Sequence, residues 1–404
     1  MILSLFSKDI ISQSKKAYLL QNRQDIRQSL VKIDTNFSII GFGAYHGSQK
    51  TENAEISLIQ GILREVSINY YLPETDFSTA HFFNKYLDSG DETLLHSLIY
   101  AYGSTVPQEK SYETIKKWQA LRNIYLIMPR QSRFKILGVD LVANYHFAIE
   151  HILEIIDDQE LNREHPRLDL LPQILALDTC NYSTSGNTWL KTQMKELVRW
   201  FRSEETINSF EFDHILNNIE YTFSTSYRDS VMLLNYQALD RRFSLDTARL
   251  FTRMGFSHLE KSAEYTPSFF SLLLDNNEYT REKMITVMGY LTKSEVLWNV
   301  RYNGKKYLSH TTLGGFGIGD YWKEYFKGIR KLKNTKLSDL TLFKLNQPNS
   351  PYRTSGPDLI QIKMPFSKSN KAEVKRRSTV DFIDYALLIS HSEANTPLNT
   401  IRRP

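Results

Sequence analysis

Short apolar runs alternate with amphipathic stretches along the first part of the chain. The run Phe37–Phe42 ends among glycines, and apolar residues then recur at helical spacing over Asn53–Val66. A second β-rich run, Ile68–Leu72, stops at a Pro-Glu pair and precedes a predicted helix over Ser78–Leu87. The pattern predicts two successive strand-loop-helix units.

A third unit has the same order. The run Phe134–Val139 precedes helical spacing over Tyr145–Ile156. Strands that alternate with helices favour right-handed crossovers and a mostly parallel sheet with helices on both faces. In such sheets functional groups gather beyond the carboxyl ends of the strands, where His46, Glu74 and Asp140 follow the three runs.

The strand pattern then stops for about a hundred residues. Helical spacing recurs over Trp189–Arg202 and Phe212–Tyr221. Strand-like runs return later, at Ala248–Phe256, Met284–Tyr290, Leu340–Leu345 and Leu359–Ile362. This order predicts an α/β protein whose mostly parallel central sheet is flanked by helices and carries an inserted, mostly helical cap.

The predicted domain boundaries follow from these changes of pattern. Residues 1–35 form an N-terminal helical lead-in, and residues 36–144 and 246–395 form a discontinuous α/β domain. Residues 145–245 form the helical cap insertion, which we expect to cover a cleft at the carboxyl ends of the strands.

Composition narrows the class of protein. Of the 404 residues 41% are hydrophobic, so most of the chain must fold. The net charge of +5 is small for this length and predicts no nucleic-acid partner, and no apolar run is long enough to predict a membrane span. Cys180 is the single cysteine, so no intramolecular disulfide is possible, and Lys8 and Asp9 interrupt the apolar N-terminus. These features together predict a cytoplasmic protein.

His46 and Glu74 are the first candidates for chemistry. His46 lies in a glycine-rich loop after a strand, where a neutral imidazole can take a proton from water near neutral pH. Glu74 follows the next strand, and its carboxylate could fix the tautomer of that imidazole. The alternatives are a histidine that caps a loop and a glutamate near a helix start.

Several motifs in succession resemble the erythromycin esterase family. They are IIGFGAYHGS, LPETDFSTAHFFNKYLDSGD, LGVDL, SYRDSVMLLN and MGFSHLEKS, in this order along the chain. The resemblance runs from Phe37 to Leu388, because SDLTLFKLNQPNSPY and STVDFIDYALLI are similar to late strands of the family.

The resemblance implies a hydrolase that cleaves an ester, a lactone or a related acyl bond. It places the general base on His46 and its supporting carboxylate on Glu74, and it completes the pocket with Arg228 and His258. The implied reaction needs neither a metal nor a cofactor, and the implied substrate is a small molecule or a modified peptide. Read locally, Arg228 could instead make an exposed ion pair, and His258 could be an ordinary loop histidine.

One position departs from the family pattern. The family carries a glutamate three residues before the first histidine, where this chain has Gly43. The alternative function is therefore a catalytically degenerate binding protein that keeps the fold and the cleft. Tyr45, Glu52, Glu55 and Asp76 are the residues that could compensate for the missing glutamate. A second carboxylate within hydrogen-bond reach of His46 would favour the enzyme.

Other motifs favour no other chemistry. His146 and His151 are five residues apart, which is not the spacing of a zinc-binding helix. The glycines of Gly314–Gly319 do not form a dinucleotide or P-loop fingerprint, so a turn is the favoured interpretation. Ser48 lacks the G-x-S-x-G elbow of a serine esterase. Nothing in the sequence indicates an oligomeric state.

Overall fold

The structure is a computed structural model of the chain. It describes residues 14–27, 31–143, 145–158, 171, 188–204, 207, 209–224, 226–302, 307–312, 318–354, 356–366 and 368–398.

The strands are β1 (Arg23–Asp25), β2 (Ile39–Gly43), β3 (Tyr70–Pro73), β4 (Lys135–Ile136), β5 (Leu250–Met254), β6 (Met284–Thr292), β7 (Val296–Tyr302), β8 (Tyr307–Thr312), β9 (Asp320–Tyr321), β10 (Glu324–Phe326), β11 (Leu340–Lys344), β12 (Ile362–Lys363) and β13 (Tyr385–Ser390). Eight of them form one sheet in the order β1-β11-β13-β6-β2-β5-β3-β4. The six strands from β13 to β4 run parallel, while β1 and β11 form an antiparallel edge.

The helices are α1 (Lys15–Gln21), α2 (Gln49–Leu63), α3 (Phe77–Ser89), α4 (Glu92–Thr105), α5 (Tyr112–Ile127), α6 (His146–Asp158), α7 (Thr188–Glu204), α8 (Phe210–Tyr221), α9 (Arg228–Phe243), α10 (Phe269–Asp275) and α11 (Ile329–Thr335). They cover both faces of the sheet, and strands buried on both faces are typical of parallel sheets. The fold class predicted from the sequence is confirmed.

Strand β2 lies in the middle of the sheet, and every residue of it is buried. Ile40 and Phe42 pack into the core on the side of α2, α4 and α5. Ile39 packs into the core on the side of α6 to α10. At Gly41 even a Cβ atom would lie 2.6 Å from the Phe270 ring, so β2 can pass α10 only with glycine there. The loop that carries His46 therefore starts from a fully buried central strand.

The stretch predicted to be helical carries α6 to α9 and no strand within its described residues. Other parts differ from expectation, since the lead-in segment also supplies the edge strand β1, and the run Leu359–Ile362 ends in β12 of a separate three-stranded sheet. Helices α4 and α5 and the β7–β8 hairpin were not expected. The domain boundaries stay a prediction.

Two buried histidines between α3, α6 and α8 predict a pH-dependent stability. Burial lowers the pKa of His151 to about 3 and that of His214 to about 4. An unfolded histidine titrates near 6.5, so below that pH the unfolded chain binds more protons than the folded one. We expect the free energy of unfolding to fall as the pH falls from about 6.5 toward 4, by up to about 1.4 kcal/mol per pH unit for each histidine.

His214→Phe isolates this effect. The ring of His214 stacks on Phe210 at 5.5 Å and meets the edge of Phe77 at 4.8 Å, so a phenyl ring fits the same contacts. Urea unfolding at pH 7 and pH 5 should show a smaller loss of stability in the variant than in the wild type. An equal loss in both proteins would contradict the assignment.

Candidate active site

The site lies beyond the carboxyl ends of β2, β5 and β3, which are neighbours in the sheet. His46 follows β2, Glu74 directly follows β3, and His258 lies in the 3-10 turn Phe256–Leu259 after β5. Because the three strands are parallel, their carboxyl ends meet at one edge. The prediction that the three side chains face one cleft agrees with this placement, since all three line the same cavity.

Glu74 lies at the centre and is only 3% exposed. Its Oε2 accepts a hydrogen bond from the backbone N–H of Gly255 at 2.6 Å and lies 3.1 Å from Nε2 of His46. Its Oε1 accepts a hydrogen bond from Nη2 of Arg228 at 2.8 Å and lies 3.8 Å from Nε2 of His258. Burial raises the pKa of Glu74, but Arg228 and the two histidines outweigh it and hold that pKa well below its usual range. Glu74 is therefore an anion that joins both imidazoles.

His46 is bound at both ring nitrogens. Nδ1 lies 2.6 Å from Oε1 of Glu109, and Nε2 faces Glu74. Burial and the nearby Arg253 lower the pKa of His46, but the hydrogen bonds to Glu109 and Glu74 outweigh them and raise it. With both carboxylates ionised, each ring nitrogen needs a proton to make its hydrogen bond, so this geometry favours the imidazolium form.

His258 has a different environment. Its Nδ1 lies 2.7 Å from Oδ1 of Asp229, and the same oxygen accepts a hydrogen bond from the backbone N–H of Phe269 at 2.7 Å. Its Nε2 has no hydrogen-bond partner among the described residues. Burial lowers the pKa of His258, whereas Asp229 and Glu74 raise it above its ordinary value. A carboxylate behind one nitrogen and an open second nitrogen are the features of an imidazole that exchanges protons with a ligand.

Arg228 begins α9 and holds the carboxylates in place. Its Nε donates to Oδ1 of Asp140 at 2.8 Å, and its Nη2 donates to the other oxygen of Asp140 and to Glu74. Asp140 is fully buried after β4. A bidentate guanidinium of this kind fixes the carboxylate geometrically as well as electrostatically.

Glu109, like Asp229, is a residue of the site that sequence reasoning missed. It ends the 3-10 turn Pro107–Glu109 between α4 and α5, in a stretch that carries no motif of its own. Of the compensating groups expected from the sequence, none hydrogen-bonds to His46. The ring of Tyr45 stacks on Phe256 at 5.4 Å, Asp76 caps α3 by accepting from the Thr79 N–H, and Glu52 and Glu55 pair with Lys117.

Gly43 has no room for the family's glutamate. A Cβ atom there would lie 2.7 Å from Sδ of Met288 and 3.4 Å from Cβ of Leu259. Gly43 is outside the left-handed region, so a side chain there is opposed by packing against Met288 rather than by backbone strain. We expect Gly43→Glu to lower the free energy of unfolding by about 2–4 kcal/mol, because it crowds a full core and buries a carboxylate.

Gly43→Ala, which adds the Cβ atom alone, is the matched control for that variant. Urea unfolding should show a smaller loss for the alanine than for the glutamate. A stable Gly43→Glu protein would show that this position can still accept the family's carboxylate.

A cavity of about 510 Å³ opens onto the two histidines. Its apolar wall includes Tyr45, Phe256, Trp298 and Phe326, and its polar wall includes Glu260 and Glu264. Among the described residues of the predicted helical cap, Tyr227 is the one that lines it, while most of the wall comes from residues 255–266 and from β7. The cavity is large enough for a small organic molecule.

The remaining sequence candidates lie elsewhere. His146 pairs with Glu150 one turn on, and the His151 ring stacks on that of His81 at 3.8 Å. Ser48 is buried and forms a bridge with Ala394, and Gly314–Gly319 lies mostly outside the described residues. In the described part of the chain no group of three or more histidine, cysteine or acidic side chains is arranged to hold a metal ion, and no helix is long and apolar enough to cross a membrane.

Neither the protein-family models nor the curated proteins include a match to this chain. Solved structures do match it along nearly its whole length. A Bacillus cereus protein is 13% identical, with a TM-score of 0.64 over 95% of this chain and 98% of that one. A succinoglycan biosynthesis protein is 12% identical, with a TM-score of 0.63 over 96% and 99%.

The third similar structure is an erythromycin esterase in its open conformation, with one histidine replaced by asparagine. It is 14% identical, with a TM-score of 0.58 over 92% of this chain and 98% of that one. At such identities the likeness is one of fold. The chain therefore has the fold of these proteins, one of which is an erythromycin esterase.

Proposed function

We propose that the protein is a hydrolase that cleaves an ester, a lactone or a related acyl bond by attack of a water molecule that a histidine activates. The observation that carries this proposal is that two imidazoles, each backed by a buried carboxylate, converge on Glu74 at the cavity. The similarity in fold to an erythromycin esterase supports the same reaction class.

The two histidines divide the proton transfers. In its neutral form His258 carries its proton on Nδ1 beside Asp229, and its Nε2 then accepts a proton as the water oxygen attacks the carbonyl carbon. Nε2 of His46, which carries a proton beside Glu74, donates it to the leaving oxygen when the tetrahedral intermediate collapses. The acid and the alcohol leave, and the proton gained by His258 returns to His46 through solvent.

This division reverses the role that the resemblance gives to His46. An imidazole that donates from both nitrogens cannot accept a proton, so His46 could act as a base only after losing its Nε2 proton. Glu74 holds the two rings in their relative positions, and Arg228 holds Glu74. The proposed substrate is a small molecule or a modified peptide that fits the cavity.

A turnover screen tests the proposal. The wild-type chain is incubated with p-nitrophenyl esters, alkyl esters, lactones and O-acylated peptides in ¹⁸O-labelled water. We expect at least one class to be hydrolysed, with the label in the released acid, and we expect the His258→Asn variant not to hydrolyse it. If the wild type turns over none of these classes faster than the variant does, the hydrolase assignment is wrong.

A further inference from the structure

The carboxylate on Nδ1 of His46 belongs to Glu109. The family pattern instead places a glutamate three residues before the histidine, where this chain has Gly43. Glu109 is 1% exposed, and its Oε1 lies 2.6 Å from Nδ1 of His46. That is shorter than the 3.1 Å contact on the opposite side of the ring, to Glu74. The stronger anchor of the His46 ring is therefore Glu109.

The backbone of the turn and a hydrogen bond from α5 fix the position of the Glu109 carboxylate. Pro107 fixes the backbone at the start of the turn, and the Glu109 N–H donates to the carbonyl of Val106 at 2.9 Å. The second carboxylate oxygen accepts a hydrogen bond from Oγ1 of Thr114 at 2.9 Å. Thr114 itself lies in the first turn of α5, whose N-cap is Ser111.

A buried charge network keeps this carboxylate ionised. Nζ of Lys117 lies 3.6 Å from Glu109, 2.7 Å from Glu52 and 3.3 Å from Glu55. Arg253, which is 1% exposed, lies 3.6 Å from Glu55. Burial raises the pKa of Glu109, but Lys117 and His46 outweigh it and hold that pKa well below its usual range.

We infer that Glu109 is the positioning residue for His46, and that it replaces the glutamate absent at Gly43. Gly43 is filled by Met288 on one face of β2, whereas Glu109 reaches His46 from the side of α4 and α5. In this chain the carboxylate on Nδ1 of His46 thus comes from the turn between α4 and α5 and not from the position of Gly43. This inference rests on the proposed function for its kinetic consequence, but its structural content can be measured without a substrate.

The substrate-free test uses ¹⁵N–¹H correlation spectra of the histidine rings. In the wild type we expect Nδ1 of His46 to be protonated and to show a downfield, slowly exchanging proton. In Glu109→Gln we expect that signal to shift or to disappear and the pKa of His46 to fall, because a neutral amide stabilises the imidazolium less than a carboxylate does. A wild-type His46 that is unprotonated at Nδ1, or a pKa that does not change in the variant, would overturn the inference.

The kinetic test uses an alkyl ester or a lactone that the wild type hydrolyses in the screen, because these leaving groups need the proton from His46. We expect Glu109→Gln to lower kcat by about 10²- to 10⁴-fold with little change in KM, because a carboxylate that orients an imidazole acts on the chemical step. Glu65→Gln, the same change at an exposed glutamate after α2, is the matched control and should leave kcat unchanged. If Glu109→Gln does not fold, Glu109→Asp keeps the charge and should lower kcat by less. An unchanged kcat in either folded variant contradicts the role, and a failed screen leaves the spectroscopic test decisive.

Discussion

His46→Ala is expected to lower the hydrolysis of an alkyl ester or lactone by about 10²- to 10⁴-fold, the usual effect of removing a general acid or base. The rate of hydrolysis of a p-nitrophenyl ester should fall far less, because its leaving group departs as a stable anion and needs no proton from His46. His258→Ala should slow both substrates, since each still needs a deprotonated water. Initial rates for the two substrates with the two variants measure this difference.

Equal losses for both substrates in His46→Ala would assign His46 the role of base, as the family resemblance implies. An unaltered rate would exclude His46 from the chemistry. From the sequence, a histidine in a rim loop should cost about 1 kcal/mol of stability or less when it is removed. In the structure His46 lies between two buried carboxylates, so the loss of stability in His46→Ala should be larger than that. Its melting temperature is compared with that of His46→Gln, which keeps a hydrogen-bond donor.

Lys117→Met is expected to lower the free energy of unfolding by about 3–5 kcal/mol, the usual cost of removing one partner of a buried ion pair. Lys117 is 4% exposed and lies within ion-pair distance of three buried carboxylates. Burial lowers the pKa of Lys117, but Glu109, Glu52 and Glu55 raise it well above its usual value, so the lost group is a full cation. Urea unfolding followed by circular dichroism at pH 7 measures the change.

Lys116→Met is the matched control, because Lys116 is the exposed neighbour on the same helix. Its free energy of unfolding should change little. Burial raises the pKa of Glu52 to about 7, with Glu109 adding to the rise, so one carboxylate can take up a proton when Lys117 is removed. If Lys117→Met lowers the free energy of unfolding no more than Lys116→Met does, protonation of a carboxylate fully compensates for the missing lysine.

Residues that directly follow a strand were predictable from the sequence. His46, Glu74 and Asp140 come after apolar runs, and parallel strands bring their carboxyl ends to one edge. His258 also follows a strand-like run, but its role, like that of Arg228, was indicated only by the family resemblance. Their placement at Glu74 depends on the order of strands in the sheet, which no local pattern encodes.

Glu109 and Asp229 could not be predicted in the same way. Glu109 lies in a short turn whose sequence, VPQEK, is typical of any exposed loop, and it is buried only because α4 and α5 fold over it. Asp229 follows an arginine at a helix start, which is the pattern of a surface ion pair. In both cases the partner histidine is distant in sequence, so the interaction is a property of the tertiary fold.

The central position of β2 has a consequence for how the chain is made. Strand β2 emerges from the ribosome well before its two neighbours in the sheet, which are residues 250–254 and 284–288. Pairings so distant in sequence form slowly, because long loops must close before any contact is gained. We therefore expect the nascent chain to carry an unpaired, apolar β2 until those two strands have been made, as a segment that chaperones can bind and that can aggregate. Since His46 follows that strand, the site cannot assemble before the last central strand is complete.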